Sequence, residues 1–263
     1  VIHPGVKIWP QKEIEAGATV RTSIIWGAQG RRVLFGRYGV TGLVNVDLTP
    51  EFAARLGAAF AATLPKGSTV TMNRDPHRSP RMLKRGAISG LPSAGVNVAD
   101  VGSVPIPVAR FITRSGVAQG GMHVRLSPFD NRVVDIKFFD ASGQDLSKDA
   151  ERNVEKIYFR EDFRRVYLDE IGTIDYAEHV YDRYMEAFMR VVDVQAISEA
   201  SPRMVVDFAN APAAELLPRL EAGLKIRAVA LNSSVDETKM SIPSQEFQEA
   251  LVELGRICGA LDI

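Results

Sequence analysis

The chain is poor in cysteine. Cys258 stands alone among 263 residues, so no internal disulfide can form and a reducing compartment fits. Neither sign of charge dominates: Lys plus Arg and Asp plus Glu both number 32. A nucleic-acid binder carries a basic excess to neutralise phosphates, so no nucleic-acid partner is expected. No run approaches the ~18 consecutive apolar residues of a membrane span, and no basic stretch followed by an apolar one opens the chain. The expectation is no membrane and a cytoplasmic location. Histidine is scarce (His3, His77, His123 and His179), lacks metal-ligand spacing, and reads as structural at each position. The chain starts at Val1, has no methionine before Met72, and stops at Ile263 in what reads as the close of a helix. Both ends are therefore expected to be cut from something longer.

What is present falls into three parts. Ile2, Ile8, Ile14 and Val20 recur every six residues with Trp26 in the next place, and Val6, Ala18 and Ile24 follow three of these anchors by four. A strict six matches neither a helix nor an alternating strand. It matches hexapeptide repeats that wind a left-handed β-helix, each short strand placing one apolar side chain inside the coil. So few repeats make little more than one coil, either the end of a longer β-helix or a patch docked on the next domain. The alternative is an irregular arm rich in Pro and Gly (Pro4, Gly5, Pro10, Gly17).

From about residue 33 strands and helices alternate. Strands are predicted over 33–35, 69–72, 96–101, 122–126, 133–139, 203–208 and 226–231. Thr49-Pro50-Glu51 opens a helix with an N-cap, a proline at the first helical position and an acid in the first turn. Its apolar face is Phe52, Leu56, Phe60 and Leu64. Ser79-Pro80 repeats the cap-then-proline signal for a second helix. Further helices are predicted over 107–115, 176–192, 213–224 and 245–260, the last with Phe247, Leu251, Leu254 and Cys258 facing inward. This alternation predicts α/β layers, with helices covering a mixed or largely parallel sheet. The expected domains are a tail over 1–30, a first domain over 31–175 and a second over 176–263.

In open α/β sheets ligands bind outside the carboxyl ends of the strands. Arg37, Arg74 and Arg125 stand at three such ends, where a planar guanidinium suits phosphate oxygens. Their convergence would make an anion site; singly, each also fits a solvated loop charge or a partner for Asp75 or Asp130. Ser127 follows the strand over 122–126 and could present its hydroxyl to a ligand or merely cap a loop. The run Glu161-Asp162-Phe163-Arg164-Arg165 reads as a solvated helix face, and Cys258 as packing.

Several segments resemble the phosphoglucomutase and phosphomannomutase (phosphohexomutase) family in order and spacing. They are Phe35-Gly36-Arg37-Tyr38-Gly39-Val40-Thr41-Gly42, Asn73-Arg74-Asp75 with Arg78-Ser79-Pro80, and Val101-Gly102-Ser103-Val104-Pro105. Gly120-Gly121 through Ile136-Lys137-Phe138-Phe139 has the length of the family's phosphoserine-loop region, and Val205-Val206-Asp207 with Ala209-Asn210 resembles the opening strand of its second domain. The resemblance implies three-layer α/β/α domains, domain I and part of domain II. It implies a hexose phosphate as substrate, isomerase-type phosphoryl exchange at Ser127, and Lys137 near the transferring group. It also implies Mg2+, held in the family by an Asp-x-Asp-x-Asp loop that this chain lacks, so Ser127 as a phosphoserine would be its one metal contact here.

The departures are specific. The family's Thr-Ala-Ser-His-Asn-Pro loop reads Arg125-Leu126-Ser127-Pro128-Phe129-Asp130, and Thr41 stands where the opening motif has an arginine. The tail Ile2-His3-Pro4-Gly5-Val6-Lys7-Ile8-Trp9-Pro10 resembles the hexapeptide region of sugar-phosphate nucleotidyltransferases of the mannose-1-phosphate guanylyltransferase type. That likeness implies a fusion protein in carbohydrate metabolism, with an attached nucleotidyltransferase domain or a homo-oligomer as partner. Two functions follow: a phosphotransferase acting through Ser127, or a catalytically degenerate sugar-phosphate-binding or assembly module beside a nucleotidyltransferase.

Overall fold

The structure, a computed structural model, describes the chain except residues 11, 13, 22, 25–32 and 117. Among the described residues the larger sheet has seven strands. They are β1 (Phe35–Gly36), β2 (Gly39–Leu43), β3 (Thr69–Arg74), β4 (Asn97–Gly102), β5 (Ala118–Leu126), β6 (Val133–Asp140) and β7 (Ile174–Tyr176), in the order β1-β2-β6-β5-β3-β4-β7. Strands β5, β3, β4 and β7 run parallel, while β6 is antiparallel to both β5 and β2. The sheet is mixed.

Helices cover both faces. Helix α1 (Pro50–Ala62) begins where the sequence predicts, with the Phe52 N–H donating to Thr49 Oγ1 at 3.2 Å. Helix α2 (Arg78–Ser93) starts earlier than Ser79 would place it, because His77 Nδ1 accepts the Ser79 N–H and acts as the cap. Pro80 is then the third helical residue, where the missing N–H would have no helical partner anyway. Helices α1, α2 and α4 (Lys148–Arg160) bury Phe52, Leu56, Phe60, Leu83, Leu91 and Tyr158 against Met122, Val124, Ile136 and Phe138 of the sheet. On the opposite face α3 (Ile106–Ser115) packs through Val108 and Ile112, joined by Tyr181 and Tyr184 of α5 (Val180–Met189). The α1–α2 seam is close: a Cβ added at Gly90 would overlap the Ala54 carbonyl.

Two strands escaped sequence reading. Strand β2 is Gly-rich, and Gly39, at φ +94°, must be glycine because a Cβ there would meet the Ile136 carbonyl. Strand β7 is three exposed edge residues held by backbone pairing to β4. Tyr176, predicted as the start of a helix, ends this strand, and the boundary expected at 175/176 falls within it.

The run at 161–165 is not a helix face. Glu161 ends α4 in the left-handed region, and Arg164 donates to the carbonyls of Ala61, Leu64 and Ala94 at 2.8, 2.8 and 2.7 Å. One guanidinium therefore satisfies carbonyls at the ends of both α1 and α2.

After α6 (Val194–Ala200), a two-stranded parallel sheet pairs β8 (Arg203–Asp207) with β9 (Arg227–Leu231), followed by α8 (Ser244–Ala260); α7 (Leu217–Leu224) lies between the two strands. The inward stripe predicted on α8 is corrected: none of its residues is buried, and Phe247 and Leu251 are 39% and 45% exposed. Cys258 is half-buried. A two-stranded sheet offers too little surface to cover a 17-residue helix. Among the described residues, no helix is long and apolar enough to cross a membrane.

At the amino end, Ile2 bridges Val20 and Ile8 bridges Ile24, both parallel, with the Trp9 N–H donating to the Ile24 carbonyl at 2.9 Å. Val20 and Ile24 are buried, whereas Ile2 and Ile8 are exposed. Lys12 reaches the Val46 carbonyl and Asp47, which ties this segment to the loop before α1. Trp26 lies outside the described residues.

Candidate active site

Parallel pairing of β3 and β5 brings Asp75 and Ser127 to one edge of the sheet. The Asp75 N–H donates to the Val124 carbonyl at 2.9 Å, and Asp75 Oδ2 accepts the Leu126 N–H at 2.9 Å. Ser127 follows directly, half-buried, its N–H donating to the Val133 carbonyl at 2.9 Å. Beyond it, Asp130 accepts the Arg132 N–H at 2.9 Å and its guanidinium at 2.8 Å, bonds that hold its carboxyl down to about 2. The loop at 127–132 is thus fixed at both ends.

Behind this loop lies a buried polar relay. Asn73 Oδ1 accepts the Val104 N–H at 3.1 Å and its Nδ2 donates to the Val104 carbonyl at 2.9 Å, which fixes the amide's orientation. The remaining Nδ2 hydrogen points to His123 Nδ1 at 2.8 Å. That nitrogen is therefore the acceptor, and the ring proton sits on Nε2, facing Asp75 Oδ1 at 3.6 Å. Burial, reinforced by the Arg125 and Lys137 charges, holds His123 down to about 3, so the ring is neutral at neutral pH. Burial pushes Asp75 up to about 6, opposed by its bond from Leu126 and the Arg125 charge. His123 is structural, as its sequence context suggested, yet it belongs to the brace of the serine loop.

The predicted site residues occupy three surroundings. Arg125 forks onto Asp135 Oδ2, with Nη2 at 2.6 Å and Nε at 3.2 Å, and Thr41 donates to the other oxygen at 2.6 Å. Arg37 and Lys137 line one cavity of about 190 Å³ with Gly39, Asp145, Lys148 and Glu151. Arg74 lines another, of about 610 Å³, against α2. The structure brings together Arg37 with Lys137, and Arg74 with Asp75, whose carbonyl it contacts at 2.8 Å. Arg37 and Arg125 also share the Tyr38 ring, at 5.4 and 5.8 Å from its centroid, and the charges of Arg74 and Arg125 both act on Asp75.

Asn73, Asp75, His123 and Asp135 were not singled out as site residues from the sequence. A usable signal exists: Asn73 and His123 interrupt two apolar strands, and parallel pairing sets them side by side. Among the described residues, no group of three or more His, Cys, Asp or Glu side chains could hold a metal ion.

Comparison with known proteins identifies the family. The family model "Phosphoglucomutase/phosphomannomutase, alpha/beta/alpha domain I" matches residues 32–165. A phosphoglucomutase/phosphomannomutase of Thermococcus kodakarensis is 35% identical over 234 residues, covering 86% of this chain and 51% of that protein. A phosphoglucosamine mutase of Nocardia farcinica is 33% identical over 251 residues, covering 86% and 54%. The crystal structure of a phosphoglucomutase/phosphomannomutase family protein from Burkholderia thailandensis shares the fold at a TM-score of 0.71 and 24% identity, over 84% of this chain and 48% of that one. The chain spans about half the length of the relatives it matches. With six of the seven described strands of the larger sheet, helices α1 to α4 and the serine loop all inside the matched segment, the chain belongs to the phosphoglucomutase/phosphomannomutase family.

Proposed function

We propose that this chain is the phosphohexomutase-like region of a protein of sugar-phosphate metabolism, with Ser127 as the phosphoryl carrier. The observation that carries this reading is the bracing of the serine loop at the carboxyl end of β5, where Asp75 accepts the Leu126 N–H and the Ser127 N–H donates to the Val133 carbonyl. A phosphorylated Ser127 would pass its phosphoryl group to a free hydroxyl of a hexose phosphate; as the new P–O bond forms and the serine P–O bond breaks, the hydroxyl proton passes to the departing Ser127 oxygen. The resulting bisphosphate would return its other phosphoryl group to Ser127 and release the isomer. Lys137 and Arg37 supply positive charge to the phosphoryl oxygens, Arg74 takes a phosphate from the neighbouring edge, and Arg125 orders the strand end through Asp135.

The nearest carboxylates do not fit a magnesium ion, since Asp75 is engaged by Leu126 and Asp130 by Arg132. The magnesium that the family resemblance implies is proposed to meet this chain only through phosphorylated Ser127. We keep the division into a tail over 1–30 and domains over 31–175 and 176–263, with α5 bridging the two by packing on α3. The parallel bridges of Ile2 with Val20 and Ile8 with Ile24 support a β-helix tail of the kind attached to guanylyltransferases.

A second reading has its own support. Arg125 and Thr41 both spend their polar groups on Asp135, so two positions that depart from the family pattern serve the sheet rather than a ligand. This favours a degenerate module that binds a sugar phosphate or mediates assembly beside a nucleotidyltransferase. Phosphopeptide mass analysis separates the two. The carrier reading expects phosphate on Ser127, lost on incubation with glucose 1-phosphate or mannose 1-phosphate and absent in Ser127→Ala. A serine that stays unphosphorylated after exposure to glucose 1,6-bisphosphate gives the function to the second reading.

A further inference from the structure

The cavity of about 610 Å³ lies on the α2 side of the sheet, at the carboxyl ends of β3, β4 and β7. Arg74, Arg81, Lys84 and Arg85 line it, with Asp100 as its one carboxylate and Ile174 and Tyr176 as an apolar wall. Asp100 pairs with Lys84 and accepts the Gly102 N–H at 2.7 Å, both through Oδ1, so one carboxylate serves four cationic side chains. Lys84 gives another hydrogen to the Gly102 carbonyl at 3.2 Å. Arg74 and Arg81 donate only to main-chain oxygens, of Asp75 and Pro76. Among the described residues neither Arg81 nor Arg85 lies within ion-pair distance of a carboxylate. Among the described residues Arg81 and Arg85 are left without a counterion at ion-pair distance, while Arg74 feels the charges of Asp100 and Asp75.

The local sequence makes that excess costly. Helix α2 carries Arg78, Arg81, Lys84 and Arg85 and no acidic residue. Arg81 and Arg85 stand one turn apart and repel, in the half of the helix whose dipole already favours negative charge. Arg74 is half-buried beside them; burial first, and then the Arg81 charge, lowers its proton affinity. A solvated basic helix face would not need Arg74 turned toward it from the strand opposite. A bound anion would offset all of these penalties together, and guanidinium forks suit its oxygens.

We propose that this cavity is a second anion site, taking a phosphate-class dianion between Arg74, Arg81 and Arg85, with any body attached to it lying on Tyr176 and Ile174. The site shares Arg74 with the Ser127 reading and goes beyond it through Arg81, Arg85 and Tyr176, which that chemistry does not use. Free phosphate and a phosphorylated sugar share the recognised group.

Calorimetric titration of the 263-residue chain with inorganic phosphate and with glucose 6-phosphate tests this, in a Ser127→Ala background that disables the phosphoserine chemistry. Both probes are expected to bind there, and adding Arg81→Gln with Arg85→Gln should weaken binding at least about tenfold. Tighter binding of glucose 6-phosphate, reduced to the phosphate value by Tyr176→Ala, assigns a phosphorylated sugar; equal affinities assign free phosphate. Either result supports the site. Affinity unchanged by the double substitution, or no binding in the Ser127→Ala background, overturns it. A measurement on the unsubstituted chain stands apart from any folding defect: phosphate should shift the backbone amide resonances of Arg81, Arg85 and Gly102. Shifts confined to residues 127–132 overturn the proposal while leaving the Ser127 reading intact.

Discussion

The two sheets of this chain differ in how they keep water out. The seven-stranded sheet is covered on both faces, and Val40, Val70, Met72, Val124 and Ile136 are sealed. The two-stranded sheet has no fully sealed strand residue, and its helix α8 buries none. Both regions are built from similar alternations of strand and helix. Apolar periodicity therefore specifies which face could be buried, whereas burial itself depends on how much partner surface the fold supplies.

Hydrogen exchange should draw the contrast most strongly. Amides of β3 and β5 are expected to exchange only through global unfolding, and those of α8 through local opening, with protection lower by about a thousandfold. Equal protection would break the comparison. Next in size is the α1–α2 seam, where Gly90→Val should cost about 3 kcal/mol in urea unfolding because backbone, not a movable side chain, meets the new atoms. Arg164→Ala should cost a similar amount, about 2–3 kcal/mol, by leaving the Ala61, Leu64 and Ala94 carbonyls without their charged donor.

The relay behind Ser127 sharpens the comparison through pH. Asp75 has a raised value in the fold, so the folded state holds its proton more tightly than the unfolded chain. Its ionisation therefore removes stability as pH rises from about 4 to about 6. Asp75→Asn keeps an acceptor for Leu126 and should be about 1–3 kcal/mol more stable than the parent at pH 7, with the difference shrinking toward pH 4. His123 acts in the opposite sense: held neutral in the fold, it costs stability as pH falls below about 6.5 toward 3. His123→Gln should remove that acid loss, as chemical denaturation at pH 4 and pH 7 would show. The smallest effect lies in α8, where a Cβ at Gly255 meets nothing within 4 Å. Gly255→Ala should raise the local stability of that helix by up to about 1 kcal/mol, opposite in sign to the change at Gly90.

Much of the first region was legible in the chain. Thr49-Pro50 marks α1, the apolar strands are where periodicity puts them, and the family segments fall on β2, β3, β4 and β5. Three things were hidden, each for a physical reason. Strand β7 is exposed and held by main-chain bonds, so its side chains carry no pattern. The clamp of Arg164 joins groups about a hundred residues apart, which no local window can see. The sequence points to three arginines, but a positive side chain reveals nothing of the carboxylate across the strand: Asp135 takes Arg125, while among the described residues Arg81 and Arg85 have no carboxylate within ion-pair distance.

The loop bearing Ser127 also touches the second region. The Ile242 N–H donates to the Pro128 carbonyl at 2.9 Å, and the Phe129 and Phe247 rings meet edge-on at 6.0 Å between centroids. These two contacts are joined by an ion pair of Arg78 with Glu237 at 3.2 Å and by Met240 packed on the first core, so the segment before α8 is held to the first region at several points. The serine loop is thus held by the sheet on one side and by residues 242–247 on the other. Loss of the Pro128 and Phe129 contacts would leave Ser127 held by the sheet alone, so the order of the loop and the seating of α8 are coupled. By reciprocity, whatever orders the serine also seats the helix.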